Sequence, residues 1–123
     1  MIPIILLHGM LGTPADWSGV CQAWQGEPQP TAVTLPVAAD WSHGICQLLA
    51  NLPQQSVLVG YSLGARVALG CVLAAPQRFR GLCLISGSPG LESDADRALR
   101  QVQDEKWLDQ ILHHPLPLSL IHI

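Results

Sequence analysis

The stretch "SVLVGYSLGARVALG" (Ser56 to Gly70) decides the fold. It runs apolar over "SVLV", meets Gly-Tyr-Ser-Leu-Gly, and continues as an apolar pattern of helical length. A serine between two glycines at a strand-to-helix seam is the pattern of a nucleophile elbow. In such an elbow the serine takes a strained turn, and the glycines admit close neighbouring backbone. The turn would lift the Ser62 hydroxyl above the carboxyl end of a sheet, with the Leu63 N–H at the following helix N-terminus aimed at developing negative charge. A bare G-x-S-x-G also occurs by chance, and its context here gives it weight.

Outward from that seam, apolar runs alternate with helical patterns. Ile2 to Leu7, Ala32 to Leu35, Ser56 to Gly60 and Gly81 to Ser86 read as short buried strands bounded by Gly or Pro. Thr13 to Trp24, Asp40 to Leu52 and Ser62 to Ala75 read as helices. Strands apolar throughout, with helices between them, imply a three-layer αβα arrangement around a parallel sheet with right-handed crossovers. The expected spatial order is second, first, third, fourth, with the fourth strand an open edge.

Composition narrows the function classes. Charged residues make up 12% of the 123 residues and the net charge is −3, with no Lys/Arg run, so neither nucleic acid nor a membrane surface is an expected partner. Five of the six basic residues are Arg, a bias that suits planar recognition of carboxylates, although any one taken alone reads as a solvated surface residue. Cys21, Cys46, Cys71 and Cys83 show no CxxC spacing and no zinc-type cluster with His. Cys71 and Cys83, in apolar segments, read as reduced buried thiols, and a cytoplasmic location is expected. The opening "MIPIILLHG" is too short for a membrane span and lacks a basic leader. There is no GxGxxG and no G-x-x-x-x-G-K-[ST], so no cofactor is expected.

"LLHGMLG" (Leu6 to Gly12) ends the first strand where an oxyanion hole draws its second backbone donor, here the Met10 N–H. His8 reads as orienting this loop rather than as catalytic.

Taken together, "LLHGMLGTPADW", "VGYSLGARVAL" and "GSPGLESDADRALRQVQDEKW" resemble the α/β-hydrolase superfamily. Within it they resemble the 2-succinyl-6-hydroxy-2,4-cyclohexadiene-1-carboxylate synthases of menaquinone biosynthesis. The resemblance covers roughly Ile2 to Leu112, and the Pro-Gly-Leu block is more family-specific than the elbow. It implies a lyase that eliminates pyruvate from an enolpyruvyl-cyclohexene dicarboxylate, with a serine-histidine-aspartate triad abstracting a proton. Carried over, Ser62 matches the triad serine, the backbones of Met10 and Leu63 the oxyanion hole, and Tyr61 a pocket residue beside the serine. Arg66 and Arg100 match arginines that hold a small anionic, carboxylate-bearing substrate, with Arg97 an alternative to Arg100. Trp107 reads as a core or lid anchor.

Three departures matter. The superfamily order is Ser, then Asp, then His, and no acid or base of the triad stands here in recognisable context. His113, His114 and His122 follow Ser62 without strand-loop-helix surroundings, while Asp94, Asp96, Asp104 and Asp109 read as a solvated helix face. "TLPVAADW" (Thr34 to Trp41) replaces the usual Leu-Pro-Gly-His-Gly. The tail "PLPLSLIHI" (Pro115 to Ile123) is apolar and does not resemble a continuation of the block before it. The expected organisation is therefore a truncated N-terminal part of an α/β-hydrolase domain over residues 1–112. Residues 88–112 would enter a lid region and 113–123 would form an unrelated tail. A chain of this kind is expected to be inactive alone and to self-associate through an exposed half-core. The alternatives are a serine ester or thioester hydrolase and a non-catalytic binding module.

Overall fold

The structure, a computed structural model, describes residues 1–87 and 93–113, with side chains throughout those spans except at positions 107 and 110–113. The chain forms two compact units, Met1–Pro89 and Gly90–Ile123.

The first unit is built on four strands, β1 (Ile4–Leu7), β2 (Thr31–Val33), β3 (Ser56–Tyr61) and β4 (Phe79–Ile85). They lie in the order β2-β1-β3-β4, every neighbouring pair parallel. This is the order expected from the alternation of apolar runs and helical segments. The two central strands carry the most apolar stretches, and Leu6, Leu7 and Leu58 are fully buried. Successive strand residues point to opposite faces, so burial of both Leu6 and Leu7 means that β1 is covered on both sides. Burying each such leucine contributes roughly 1.5–3 kcal/mol before the entropy of ordering is set against it.

Between the strands run α1 (Ser18–Ala23), α2 (Trp41–Asn51) and α3 (Leu63–Ala74). Ile45 and Leu48 of α2, with Leu52 just after it, join Ile5, Leu7, Leu58, Ala68 and Cys71 in one core cluster. The buried residues of α3 are Gly64, Ala65, Ala68 and Cys71, all small, which lets this helix lie close on the sheet. Arg78 closes the far end of the core, its guanidinium donating to the carbonyls of Leu52 and Pro53, each at 2.9 Å. Those carbonyls follow directly after the last residue of α2, Asn51, where the helix offers them no partner.

Several expectations are corrected. The single helix over Thr13 to Trp24 is instead a 3-10 turn (Pro14–Trp17) followed by α1. Pro14 starts the turn, Trp17 is buried, and no residue of α1 itself is, so no apolar face extends the helix. The second strand ends at Val33 rather than Leu35. The fully buried strands are confined to the centre, since Thr31 of β2 and Cys83, Leu84 and Ile85 of β4 are exposed. Cys83 is therefore not a buried thiol: it lies on an edge strand, whereas Cys71 is fully buried, and all four cysteines are free.

The second unit contains α4 (Asp94–His113). Ser93 caps its start, the hydroxyl accepting the Asp96 N–H at 3.0 Å. The Pro-Gly-Leu block, the Trp107 side chain and the tail after His113 lie outside the described residues. Among the described residues no helix is long and apolar enough to cross a membrane.

Candidate active site

β3 delivers Ser62 to the start of α3 with φ 55° and ψ −114°. A non-glycine residue in that region carries roughly 1–3 kcal/mol of strain, held only where the surroundings impose it. Here they do so from both sides. The Ser62 N–H donates to the carbonyl of Ile85 at the end of β4, 2.9 Å away, and the Ser62 carbonyl accepts the N–H groups of Ala65 and Arg66 at 3.0 and 3.3 Å. The hydroxyl makes no capping bond to the helix, which leaves its Oγ for other chemistry.

The flanking glycines explain why the turn can be this tight. A Cβ on Gly60 would meet the Gly64 carbonyl and come within 2.6 Å of the Ala65 Cα, and one on Gly64 would run into the carbonyls of Leu7 and His8. Both obstructions are backbone, which cannot swing aside.

The loop after β1 borders the elbow. A Cβ on Gly9 would lie 3.2 Å from Cδ1 of Tyr61 and 3.5 Å from the Ser62 Cβ, so Met10 follows a residue packed on the serine. The loop is pinned by a Gly12 N–H to Gly9 carbonyl bond of 3.1 Å, and Leu11 takes a positive φ of 60°.

His8 is buried and fully engaged. Its Nε2 lies 3.1 Å from the backbone N of Leu35, which must donate, so Nε2 is unprotonated and the proton sits on Nδ1, 2.9 Å from the Gly9 carbonyl. Both ring nitrogens thus serve to tie the loop after β1 to the loop after β2, as expected of a loop-orienting residue.

The remaining candidates divide between the two units. Tyr61 is half-exposed beside Gly9, and Arg66 is exposed one turn into α3 with no ion pair among the described residues. Arg100 belongs to the second unit, where its Nε donates to Asp104 at 2.9 Å along α4, and Arg97 pairs with Asp94 at 3.1 Å.

One pair was not singled out from the sequence. Asp40 caps α2, accepting the His43 N–H at 2.8 Å, and its second oxygen lies 3.0 Å from His43 Nδ1. These bonds hold the Asp40 carboxyl below its ordinary value of 3.8, the backbone N–H contributing most. Asp just before a helical apolar pattern is a legible capping signal. Among the described residues no group of three or more His, Cys, Asp or Glu side chains could hold a metal ion.

A parallel sheet whose third strand ends in a strained serine, beside the loop after the first strand, defines an α/β-hydrolase fold. Solved structures agree. The chain superposes on MenH from S. aureus with a TM-score of 0.75 at 21% identity, covering 98% of this chain and 58% of that one. With a naproxen esterase from Bacillus subtilis the TM-score is 0.59 at 21% identity, covering 70% and 35%.

Within that class the chain resembles the N-terminal part of 2-succinyl-6-hydroxy-2,4-cyclohexadiene-1-carboxylate synthase. It is 31% identical to the Serratia proteamaculans enzyme over 92% of this chain and 49% of the relative. It is 33% identical to the Yersinia enterocolitica enzyme over 95% and 47%. The chain thus spans about half the length of the curated relatives it matches. No family model matches it.

Proposed function

We propose that this chain carries the nucleophile-elbow half of a carbon-oxygen lyase of menaquinone biosynthesis. The reaction eliminates pyruvate from 2-succinyl-5-enolpyruvyl-6-hydroxy-3-cyclohexene-1-carboxylate to give 2-succinyl-6-hydroxy-2,4-cyclohexadiene-1-carboxylate. The carrying observation is the 31–33% identity to synthases over more than nine-tenths of the chain. The strained Ser62 supports it, since a serine held at positive φ whose hydroxyl does not cap its own helix is what such a site requires.

In this reading a base takes the proton from ring C2, the freed electron pair forms C2=C3 as the existing double bond shifts to C4=C5, the C5–O bond breaks with its electron pair on oxygen, and pyruvate leaves as its enolate, which then takes up a proton. Ser62 sits at the reacting ring, and the N–H groups of Met10 and Leu63 hold the negative charge that develops. Arg66, one turn into α3 from Ser62, binds a substrate carboxylate. No triad acid or base stands in recognisable context, so the 123-residue chain by itself binds the substrate without turning it over. A serine without its base stays a weakly nucleophilic alcohol.

The test follows pyruvate release by wild type and Ser62→Ala, with substrate binding measured by calorimetry in parallel. Binding that Arg66→Ala weakens about tenfold, without turnover, is the expected result. Failure to bind the substrate, alongside Ser62-dependent hydrolysis of p-nitrophenyl acetate, would replace the lyase reading with an ester hydrolase.

A further inference from the structure

Backbone strain concentrates in one region of the chain. The non-glycine residues with positive φ among the described residues are Leu11 at 60°, Ser62 at 55° and Ser86 at 53°. They stand in the loop after β1, at the elbow after β3, and directly after the last residue of β4. These segments meet at the carboxyl end of the sheet. Gly9 packs on Tyr61 and Ser62, and the Ser62 N–H donates to the carbonyl of Ile85, the residue before Ser86, at 2.9 Å. Gly87 then lays the chain on the first turn of α3: a Cβ there would collide with that of Ala65 and lie 3.8 Å from the Ser62 carbonyl oxygen. Ser86 is thus fixed against the elbow from both of its neighbours.

Glycine takes up positive φ freely, whereas serine does so at a cost. Ser86 is exposed, and its hydroxyl bonds to none of the described residues, so neither packing nor an internal hydrogen bond offsets that cost. Strained residues of this kind cluster at active sites and ligand clamps. We infer that Ser86 is a substrate-binding residue of the elbow, its hydroxyl donating to a carboxylate oxygen of a ligand seated over Ser62. The charge of the surroundings sets the class of ligand. Residues 8–12, 61–67 and 85–87 include the cation Arg66 and no acidic residue. A hydroxyl, an exposed guanidinium and the start of α3 all offer donors, and such a set suits an anion. The inference rests on the reading of Ser62 as the centre of a site for a carboxylate-bearing substrate, and adds to that site a residue that determines specificity.

The test is titration of the whole chain with succinate and with its neutral diamide, followed in ¹H–¹⁵N spectra. Expected are saturable shifts at the Ser62, Leu63 and Gly87 amides with succinate and none with the diamide. Asparagine and aspartate both tolerate positive φ, but the first keeps a donor and the second brings a negative charge. Ser86→Asn should bind succinate within about threefold of wild type, and Ser86→Asp roughly tenfold more weakly or worse. Ser86→Gly should lose about fivefold or more in affinity while melting no lower than wild type, a combination that a purely structural serine would not give. No saturable binding of succinate by the folded wild-type chain, undiminished binding by Ser86→Gly, or equal binding by the Asn and Asp variants would overturn the inference. Binding of the synthase substrate is read separately, so its absence beside the expected succinate pattern overturns the lyase reading alone.

Discussion

His8 Nε2 accepts the backbone N–H of Leu35 across 3.1 Å, joining two loops that lie 27 residues apart in the chain. The bond fixes the tautomer, and through Nδ1 the same ring holds the Gly9 carbonyl. One buried imidazole therefore ties the Gly9 backbone beside Ser62 to Leu35, the residue two places beyond the end of β2.

Replacing His8 by Phe keeps most of the ring volume and removes both hydrogen bonds. The Leu35 N–H then loses its partner in a partly buried site, a cost of about 1–3 kcal/mol. The midpoint of denaturant unfolding should fall accordingly, and the amides of Leu35, which His8 holds directly, and of Gly12, bonded to the Gly9 carbonyl, should lose protection from hydrogen exchange first. A variant with unchanged protection at those amides would show that the loops are held by something other than this ring.

The strain at Ser62 separates from its chemistry by a pair of substitutions. Ser62→Gly relaxes a φ of 55°, while Ser62→Ala removes the hydroxyl and keeps the strain. The glycine variant should be more stable than the alanine variant by about 1 kcal/mol, once the greater freedom of glycine in the unfolded chain is set against the relief. Thermal unfolding of both measures the difference, and an alanine variant of equal or greater stability would mean that the turn is not strained.

Legibility of the fold in the sequence tracks how locally each feature is determined. β1, β3 and α3 were readable because their apolar runs end at glycines that the elbow requires. The end of β2 was not, because the Leu35 amide is claimed by His8, a contact with no local signal. The break in the first helix follows from Trp17 being buried while the next six residues are not, which depends on tertiary packing. Cys83 is exposed against expectation for the same reason: an apolar strand reads alike at the centre of a sheet and at its edge. In the site, Ser62 and its glycines were legible from spacing. The close packing of Trp41 of α2 on Gly70 of α3 was not, since it joins residues far apart in the chain.

Asp40 makes the stability of α2 depend on acid. Its carboxyl titrates below 3.8 in the folded chain because the ionised form accepts the His43 N–H. A depressed folded value means that this contribution is complete above the unfolded value and disappears as pH falls through the folded one. Unfolding midpoints should therefore decline below about pH 4, and Asp40→Asn, which retains an oxygen to cap the helix, should flatten part of that decline. An identical acid limb in the variant would assign the loss to other carboxylates.

Cys71 provides the opposite limb. Burial against the core pushes its thiol from 9.0 up to about 11, opposed only in part by the charge of Arg78. A raised folded value means that the neutral thiol's contribution is intact below pH 9 and is lost as pH rises through about 11. Alkaline unfolding should set in across that interval and be blunted by Cys71→Ala, although the cavity left by the sulfur lowers overall stability by about 1 kcal/mol. Iodoacetamide gives an independent check, since the thiolate is the reactive form. At pH 8 it should label Cys46 and Cys83, both exposed, within the native state, and reach Cys71 only when the chain unfolds. Rapid native labelling of Cys71 would show that α3 opens away from the sheet far more readily than its packing on β3 and β4 allows.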